Sequence, residues 1–128
     1  MTQDVRGIPL AVTLAIIDKE GIGPVRDLGL LQSALARPLT ALMGTDAYPG
    51  IALKAAALMH SVCLNQALIG GNKRLAALLA LIFLDINGVE PTLSNQELFD
   101  LTMAVASGEV REVDQIAARL VPKPSPAP

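Results

Sequence analysis

One apolar segment restricts the fold of this chain more than any other part of it. The run from Leu75 to Leu84 contains no polar residue and ends at Asp85. It is about half of the roughly 20 residues that a membrane-spanning helix needs, so it predicts a buried central helix. Because 52% of the chain is apolar but only 2% is aromatic, the core must consist of Leu, Ala, Ile and Val. Such a core favours helices over sheets.

Helical spacing of apolar residues, together with start and stop signals, predicts an all-α fold. We expect a compact single-domain bundle of about six helices. The helices are predicted to start near Pro9, Asp27, Ile51, Asn72, Ser94 and Val113. The segment "GTDAYPG" between the second and third helices has the composition of a loop. The helical domain is expected to span residues 1–121, and the Pro-rich tail at 122–128 is expected to be disordered.

Charge and cysteine content exclude several classes of protein. The net charge is −2, and no basic stripe or set of stacking aromatics indicates a nucleic-acid partner. The N-terminus lacks the basic start and apolar stretch of a signal peptide, so we expect a cytoplasmic protein with no membrane partner. Cys63 is the single cysteine and lies among apolar residues. A buried thiol without a disulfide is therefore expected.

A glycine corner carrying two cations precedes the apolar run. Gly70 and Gly71 let the backbone approach a ligand closely, and the first amides of the next helix lack intrahelical partners. These amides carry the positive end of the helix dipole, which favours anions. Lys73 and Arg74 are mildly unfavourable at that position unless a phosphate or carboxylate binds there. In the alternative interpretation the two cations are solvated or pair with an acidic neighbour such as Asp85 or Glu90.

Two parts of the sequence resemble a known family. "GNKR" followed by "LAALLALIFLDINGVE" resembles the signature helix of the Fic/Doc family, in particular its short Doc (death-on-curing) toxin branch. The upstream segments "VRDLGLLQSALARP" and "YPGIALKAAALMHSV" are similar to the helix and flap regions that precede the signature. The family loop reads His-Pro-Phe-x-Asp-Gly-Asn-Lys-Arg, so the resemblance covers most of this chain.

The resemblance implies a fold, an activity and partners. It implies a compact helical fold and, for the Doc branch, transfer of a phosphate from ATP or another nucleoside triphosphate, with Mg²⁺, to a protein hydroxyl. The target that it implies is the translation elongation factor Tu, and the outcome is a block of protein synthesis. A small antitoxin of the Phd type is the implied partner.

The family motif transfers to this sequence residue by residue. Gly71, Asn72, Lys73 and Arg74 match it, and the resemblance implies that they hold phosphates through backbone amides, the Asn side chain and two cations. Leu68 stands in place of the family phenylalanine as an apolar anchor of the loop.

The motif departs from the family pattern at three positions. Gln66 replaces the catalytic histidine, Ala67 replaces the proline, and Gly70 replaces the acidic residue that helps to bind Mg²⁺. A carboxamide cannot take a proton near neutral pH as an imidazole can, and loss of a general base commonly costs about 10²–10⁴-fold in rate. Weakened or absent Mg²⁺ binding is also expected, because Gly70 has no carboxylate. This weakens the reaction further, since phosphoryl transfer relies on the metal to neutralise charge.

Two further residues have alternative interpretations. His60 is the single histidine, and its position on a buried helix, six residues before Gln66, favours a structural histidine over a catalytic one. Tyr48 is expected either in the flap that lines the target-binding edge in the family, or as an aromatic that covers the core beside a turn.

The sequence leaves three functions open. The first is a Doc-like toxin with a working anion pocket and weak or altered chemistry. The second is an inactive relative that binds nucleotide, an antitoxin or the target of a parent toxin. The third is a helical interaction domain in which GNKR is a solvated remnant.

Overall fold

The computed structural model describes residues 4–122 and shows a bundle of six helices. The helices are α1 (Leu10–Glu20), α2 (Leu28–Ala36), α3 (Ile51–Asn65), α4 (Asn72–Ile86), α5 (Asn95–Ser107) and α6 (Val113–Leu120). The prediction of an all-α, single-domain bundle with about six helices is therefore confirmed. Residues 123–128 of the predicted tail lie outside the described residues.

The bundle is organised around α3. This helix is buried from Lys54 to Met59 and again from Ser61 to Cys63, so almost no side of it faces solvent. It packs mainly against α4 and α6. Small side chains at Ala55, Ala56 and Ala57 are completely buried, which lets the neighbouring backbones approach closely. The position of the C-terminal end of α3 is therefore fixed by core packing.

The apolar run of the sequence forms the buried face of α4, as its composition indicates. Leu75, Leu79, Phe83 and Leu84 are each at most 1% exposed. Within residues 4–122, none of the helices combines the length and the apolar content that crossing a bilayer requires. The run thus contributes to the core that holds the N-terminal end of α4 beside the end of α3.

Predicted helix starts are confirmed by their capping hydrogen bonds. The Asp27 carboxylate accepts a hydrogen bond from the Leu30 amide at 3.0 Å. At α5, the Ser94 hydroxyl accepts from the Glu97 amide at 3.1 Å, while the Glu97 carboxylate accepts from the Ser94 amide at 2.9 Å. These bonds satisfy amides that have no partner inside their helices.

A small hairpin departs from the sequence prediction. The chain leaves α2 through a 3₁₀ turn at Arg37–Leu39 and forms two short antiparallel strands, β1 (Ala41–Leu42) and β2 (Thr45–Asp46). The sequence predicts a loop over the residues that form β2. The hairpin forms because Met43 and Gly44 both adopt positive φ, at 52° and 80°, which suits the twist of a two-residue connection.

Two segments that are distant in sequence are held together by backbone hydrogen bonds. We call residues 21–27, between α1 and α2, the connector, and residues 66–71, between α3 and α4, the glycine loop. Hydrogen bonds of 2.7–3.0 Å join Gly23 to Gly70, Pro24 to Ile69, and both Arg26 and Asp27 to Ala67. An isolated antiparallel bridge between Val25 and Leu68 lies in the same pairing. The connector therefore fixes the path of the glycine loop.

The two loop glycines differ in how strictly glycine is required. Gly71 has φ 88°, and a Cβ atom at this position would lie 2.5 Å from the Cβ of Ile22 in the connector. Gly70 has no positive φ, and its nearest contact would be the Gly23 carbonyl oxygen at 3.9 Å. Only Gly71 is required by both backbone conformation and space.

We predict that Gly71→Ala destabilises the fold by about 2 kcal/mol or more, whereas Gly70→Ala changes the free energy of unfolding by less than about 0.5 kcal/mol. Urea denaturation of both variants measures the difference. Equal stability of the two variants would show that contact between the connector and the loop does not restrict Gly71.

Candidate functional site

The predicted site residues meet at one cleft. The cleft has a volume of about 570 Å³ and lies between the end of α3, the glycine loop, the start of α4 and α5. It is lined by Cys63, Leu64, Gln66, Ile69, Gly70, Gly71, Asn72, Lys73, Arg74 and Ala106. The structure therefore brings together every predicted site residue except Tyr48.

Three backbone amides at the start of α4 have no acceptor. Gly71 occupies the N-cap position and provides no side-chain cap. The intrahelical ladder begins with the Leu75 amide, which donates to the Gly71 carbonyl at 2.9 Å. Within residues 4–122, the amides of Asn72, Lys73 and Arg74 donate to no protein atom. They therefore remain available to an anion at the positive end of the helix dipole.

The Asn72 side chain forms hydrogen bonds with the glycine loop, whereas the family resemblance implies that it holds phosphates. Its amide oxygen accepts a hydrogen bond from the Leu68 backbone N–H at 2.9 Å, and its amide nitrogen donates to the Leu68 carbonyl at 2.9 Å. Asn72 is buried, and these two bonds close the glycine loop onto the first turn of α4. Asn72 thus shapes the cleft with its side chain and offers it only a backbone amide.

Lys73 and Arg74 differ in their surroundings. Lys73 is exposed and forms no ion pair or hydrogen bond through its side chain within the part of the chain that the structure describes. Arg74 donates from Nε and Nη2 to one carboxylate oxygen of Glu20, at 2.9 and 2.7 Å. The alternative interpretation, solvated cations or pairing with an acidic neighbour, therefore agrees with both residues, but the acid that pairs with Arg74 is Glu20 and not Asp85 or Glu90.

Gln66 lies at the cleft in a left-handed backbone conformation, with φ 56° and ψ 44°. Its carbonyl accepts a hydrogen bond from Arg26 Nε at 2.8 Å, and the Asn65 carbonyl accepts one from Arg26 Nη2 at 3.4 Å. Arg26 therefore caps the C-terminal end of α3 and holds the backbone of Gln66, while the Gln66 side chain remains exposed.

Cys63 cannot act as a proton acceptor in the cleft near neutral pH. Burial raises the pKa of the Cys63 thiol to about 11, although the positive charge of Lys73 acts in the opposite direction. The thiol is therefore protonated at pH 7, as the prediction of an inert, buried cysteine requires.

His60 does not line the cleft. It is half-buried on α3, and its Nδ1 lies 2.9 Å from Arg37 Nη1. Burial and then the Arg37 charge lower the pKa of His60, with a smaller opposing effect from Glu112. The position supports the interpretation of His60 as a structural histidine.

The cleft does not provide ligands for a protein-held Mg²⁺. No carboxylate lines it, and Gly70 leaves the family acidic position without an oxygen donor. No three His, Cys, Asp or Glu side chains among residues 4–122 form a metal-binding cluster. Mg²⁺ prefers carboxylate and water oxygens, so the residues present fit an anion better than a cation.

Tyr48 lies away from the cleft. It follows β2, is half-buried, and its hydroxyl accepts a hydrogen bond from Arg37 Nε at 2.8 Å. The Arg37 guanidinium carbon also lies 5.2 Å from the centroid of the Tyr48 ring. Tyr48 therefore joins the end of the hairpin to Arg37 on the 3₁₀ turn.

Sequence reasoning missed three residues that form the site from outside the motif. Ile22 contacts the position of Gly71, Glu20 pairs with Arg74, and Arg26 holds Gln66. All three belong to or adjoin the connector, which the sequence marks only as a turn between two helices. Neither spacing nor composition indicates a contact between segments 40 or more residues apart in sequence.

Comparison with known proteins agrees with this geometry. A family model described as the Fic/DOC family matches residues 4–84, which include α1 to α3 and nearly all of α4. A relative from Mycolicibacterium smegmatis (strain ATCC 700084 / mc(2)155), Toxin Doc, is 46% identical over 98 residues, covering 75% of each chain. The match to the family model therefore includes the glycine loop, the connector and the helices that position them. The chain belongs to the Fic/DOC family, on its Doc branch.

Proposed function

We propose that this chain is a Doc-like toxin of a toxin–antitoxin pair, and that its cleft binds the phosphates of ATP or another nucleoside triphosphate. The proposed reaction transfers a phosphate to a hydroxyl of elongation factor Tu and so blocks translation. The observation that carries the proposal is the set of three amides at the start of α4 that, like the Lys73 side chain beside them, have no partner among residues 4–122. The similarity to a protein named Toxin Doc supports the toxin role.

Polyphosphate suits the charges and donors at the cleft. Backbone amides at the N-terminus of a helix bind phosphate oxygens without any side-chain rearrangement. Lys73 adds a mobile positive charge on the exposed side. Arg74 already donates from Nε and Nη2 to Glu20, so its Nη1 group and the second hydrogen of Nη2 remain for a phosphate.

The proposed reaction needs a destination for one proton. As the acceptor oxygen bonds to the γ-phosphorus, the bond from that phosphorus to the β–γ bridging oxygen breaks, and the acceptor hydroxyl loses its proton. Gln66 can orient the hydroxyl by accepting its hydrogen bond but cannot take the proton, which passes instead to water or to a phosphate oxygen. Transfer is therefore expected to be about 10²–10⁴-fold slower than with an imidazole at this position.

A second candidate function is a nucleotide-binding relative without transfer activity, which acts by binding an antitoxin or the toxin's target. It is favoured by the absence of any carboxylate or imidazole among the residues that line the cleft. The two functions differ in chemistry and share the phosphate site. In either case we propose a Phd-type antitoxin as the protein partner.

We predict that Lys73→Ala weakens ATP binding about tenfold or more, because a charge-assisted contact to phosphate is lost. Arg119→Ala is the matched control, since it removes another exposed cation that does not line the cleft. Calorimetric titration with ATP, with and without Mg²⁺, gives the dissociation constants of the two variants and of the unmodified chain. No measurable ATP binding by the unmodified chain would reject the phosphate site itself.

We predict that Gln66→His combined with Gly70→Asp increases phosphate transfer by about 10²–10⁴-fold. The backbone accepts both residues, because histidine tolerates the left-handed conformation of position 66 and Gly70 has free space and no positive φ. Transfer of label from γ-labelled ATP to elongation factor Tu measures the rate.

The unmodified chain and each single variant are the controls for this experiment. Slow transfer by the unmodified chain supports the first function, a toxin that transfers phosphate. Transfer by the double variant with none by the unmodified chain supports the second function, a nucleotide-binding protein without transfer activity. If the double variant binds ATP and remains inactive toward elongation factor Tu, the proposed reaction and target are both wrong for this cleft.

A further inference from the structure

A second group of polar side chains surrounds Arg37, outside the cleft. Arg37 begins the 3₁₀ turn after α2, and its Nε donates to the Tyr48 hydroxyl at 2.8 Å. Its Nη1 lies 2.9 Å from His60 Nδ1, 2.9 Å from Ser61 Oγ and 3.3 Å from the Ala57 carbonyl. Three segments, the 3₁₀ turn, the end of the hairpin and α3, therefore meet at one guanidinium.

This guanidinium is half-buried and forms no ion pair among the described residues, although the Glu112 carboxylate at the start of α6 acts on the neighbouring His60 through its charge. Within residues 4–122, no carboxylate lies within ion-pair distance of Arg37. All its recorded partners are neutral: two hydroxyls, a carbonyl and an imidazole whose Nδ1 must accept the bond. Partial burial of an unpaired cation is unfavourable, and a bound anion would offset that cost.

The hydrogen-bond pattern leaves several donors unused. Arg37 Nη2 carries two hydrogens and donates to no atom of the described chain. Since the Tyr48 oxygen accepts from Arg37, its own hydrogen is available to another acceptor. Since His60 accepts at Nδ1, its neutral tautomer carries the hydrogen on Nε2. Arginine, phenol and imidazole groups thus offer hydrogens around one positive charge.

We propose that Arg37, Tyr48 and His60 form a second anion site that takes an oxyanion, a carboxylate or a phosphate group. The site is distinct from the cleft, because none of these residues lines it. His60 lies one helical turn before Leu64, which does line the cleft, so the two sites are neighbours along the same face of α3. This inference goes beyond the proposed phosphate-transfer site and does not depend on catalysis.

The sequence provides two specific spectroscopic reporters for this site. The chain has one histidine, one tyrosine and no tryptophan. The imidazole signals in a proton NMR spectrum therefore arise from His60 alone, and intrinsic fluorescence arises from Tyr48 alone. Both can be followed in the full chain without any label.

The experiment titrates the chain with inorganic phosphate and, separately, with sodium acetate, each against sodium chloride of equal ionic strength. A bound anion stabilises the imidazolium form, so the pKa of His60 should rise in a saturable way that chloride does not reproduce. Tyr48 fluorescence should change with the same dissociation constant. A response to phosphate alone identifies a phosphate ligand, and a response to both identifies a general oxyanion site that an acidic side chain can also occupy.

Three variants connect the response to the proposed residues. Arg37→Gln should weaken the anion response about tenfold or more, and Tyr48→Phe, which keeps the ring, should weaken it several-fold. Lys73→Ala should leave the response unchanged, which separates this site from the cleft. Because Tyr48→Phe removes only a hydroxyl, it remains informative if Arg37→Gln does not fold.

Two outcomes would overturn the proposal. One is a His60 response to phosphate and acetate no larger than the response to chloride. The other is an equal response in Tyr48→Phe and the unmodified chain, together with loss of the response in Lys73→Ala, because the anion would then bind in the cleft.

Discussion

Two hydrogen bonds between the Asn72 side chain and the backbone of Leu68 determine the shape of the cleft. Leu68 is 1% exposed, so its N–H and C=O groups have no access to water and would each cost about 1–3 kcal/mol if unpaired. A side-chain amide offers one acceptor and one donor in a fixed relation, which matches this pair of groups. Because Asn72 satisfies the loop with its side chain, the backbone amides of the first turn of α4 remain without an acceptor among the described residues.

The part of the cleft that we propose to bind anions therefore depends on the backbone more than on the side chains at the positions of the family base and acid. The connector fixes the glycine loop through main-chain hydrogen bonds, and Ile22 leaves room only for glycine at position 71. None of these contacts involves the side chain of Gln66 or a side chain at position 70. A chain with this architecture can lack the base and the acidic residue of the family motif while the open amides at the start of α4 stay in place.

Sequence patterns were sufficient for local features of this protein and insufficient for contacts between distant segments. The start of α4, the capping box at Ser94 and the burial of Cys63 depend on neighbouring residues, and the structure confirms all three. The partner of Arg74 was predicted among the nearby acids Asp85 and Glu90, yet Glu20 provides it.

The difference has a physical cause. Spacing along a helix determines which residues share a face, but the placement of Glu20, at the end of α1, beside Arg74 depends on the whole fold. The same holds for Asn72. From the sequence, its side chain could bind either a ligand or the loop. It binds the loop because the N–H and C=O groups of Leu68 are buried, and that burial cannot be inferred from the sequence. Likewise, no pattern in "GTDAYPG" indicates that Tyr48 reaches Arg37 on the preceding turn.

The positive character of both proposed anion sites arises locally in a chain whose net charge is −2. At the cleft it comes from aligned amides and an exposed lysine, and around Arg37 it comes from a half-buried guanidinium without a carboxylate. A nearby charge acts more strongly where low-dielectric protein replaces water, so a few fixed donors outweigh a small overall charge of the opposite sign. α3 contributes to both sites, with Gln66 at its C-terminal end and His60 six residues, or about 1.7 helical turns, earlier. Because α3 is buried on almost every side, core packing determines the distance between the two proposed sites. We therefore expect this distance to stay the same when either site binds a ligand.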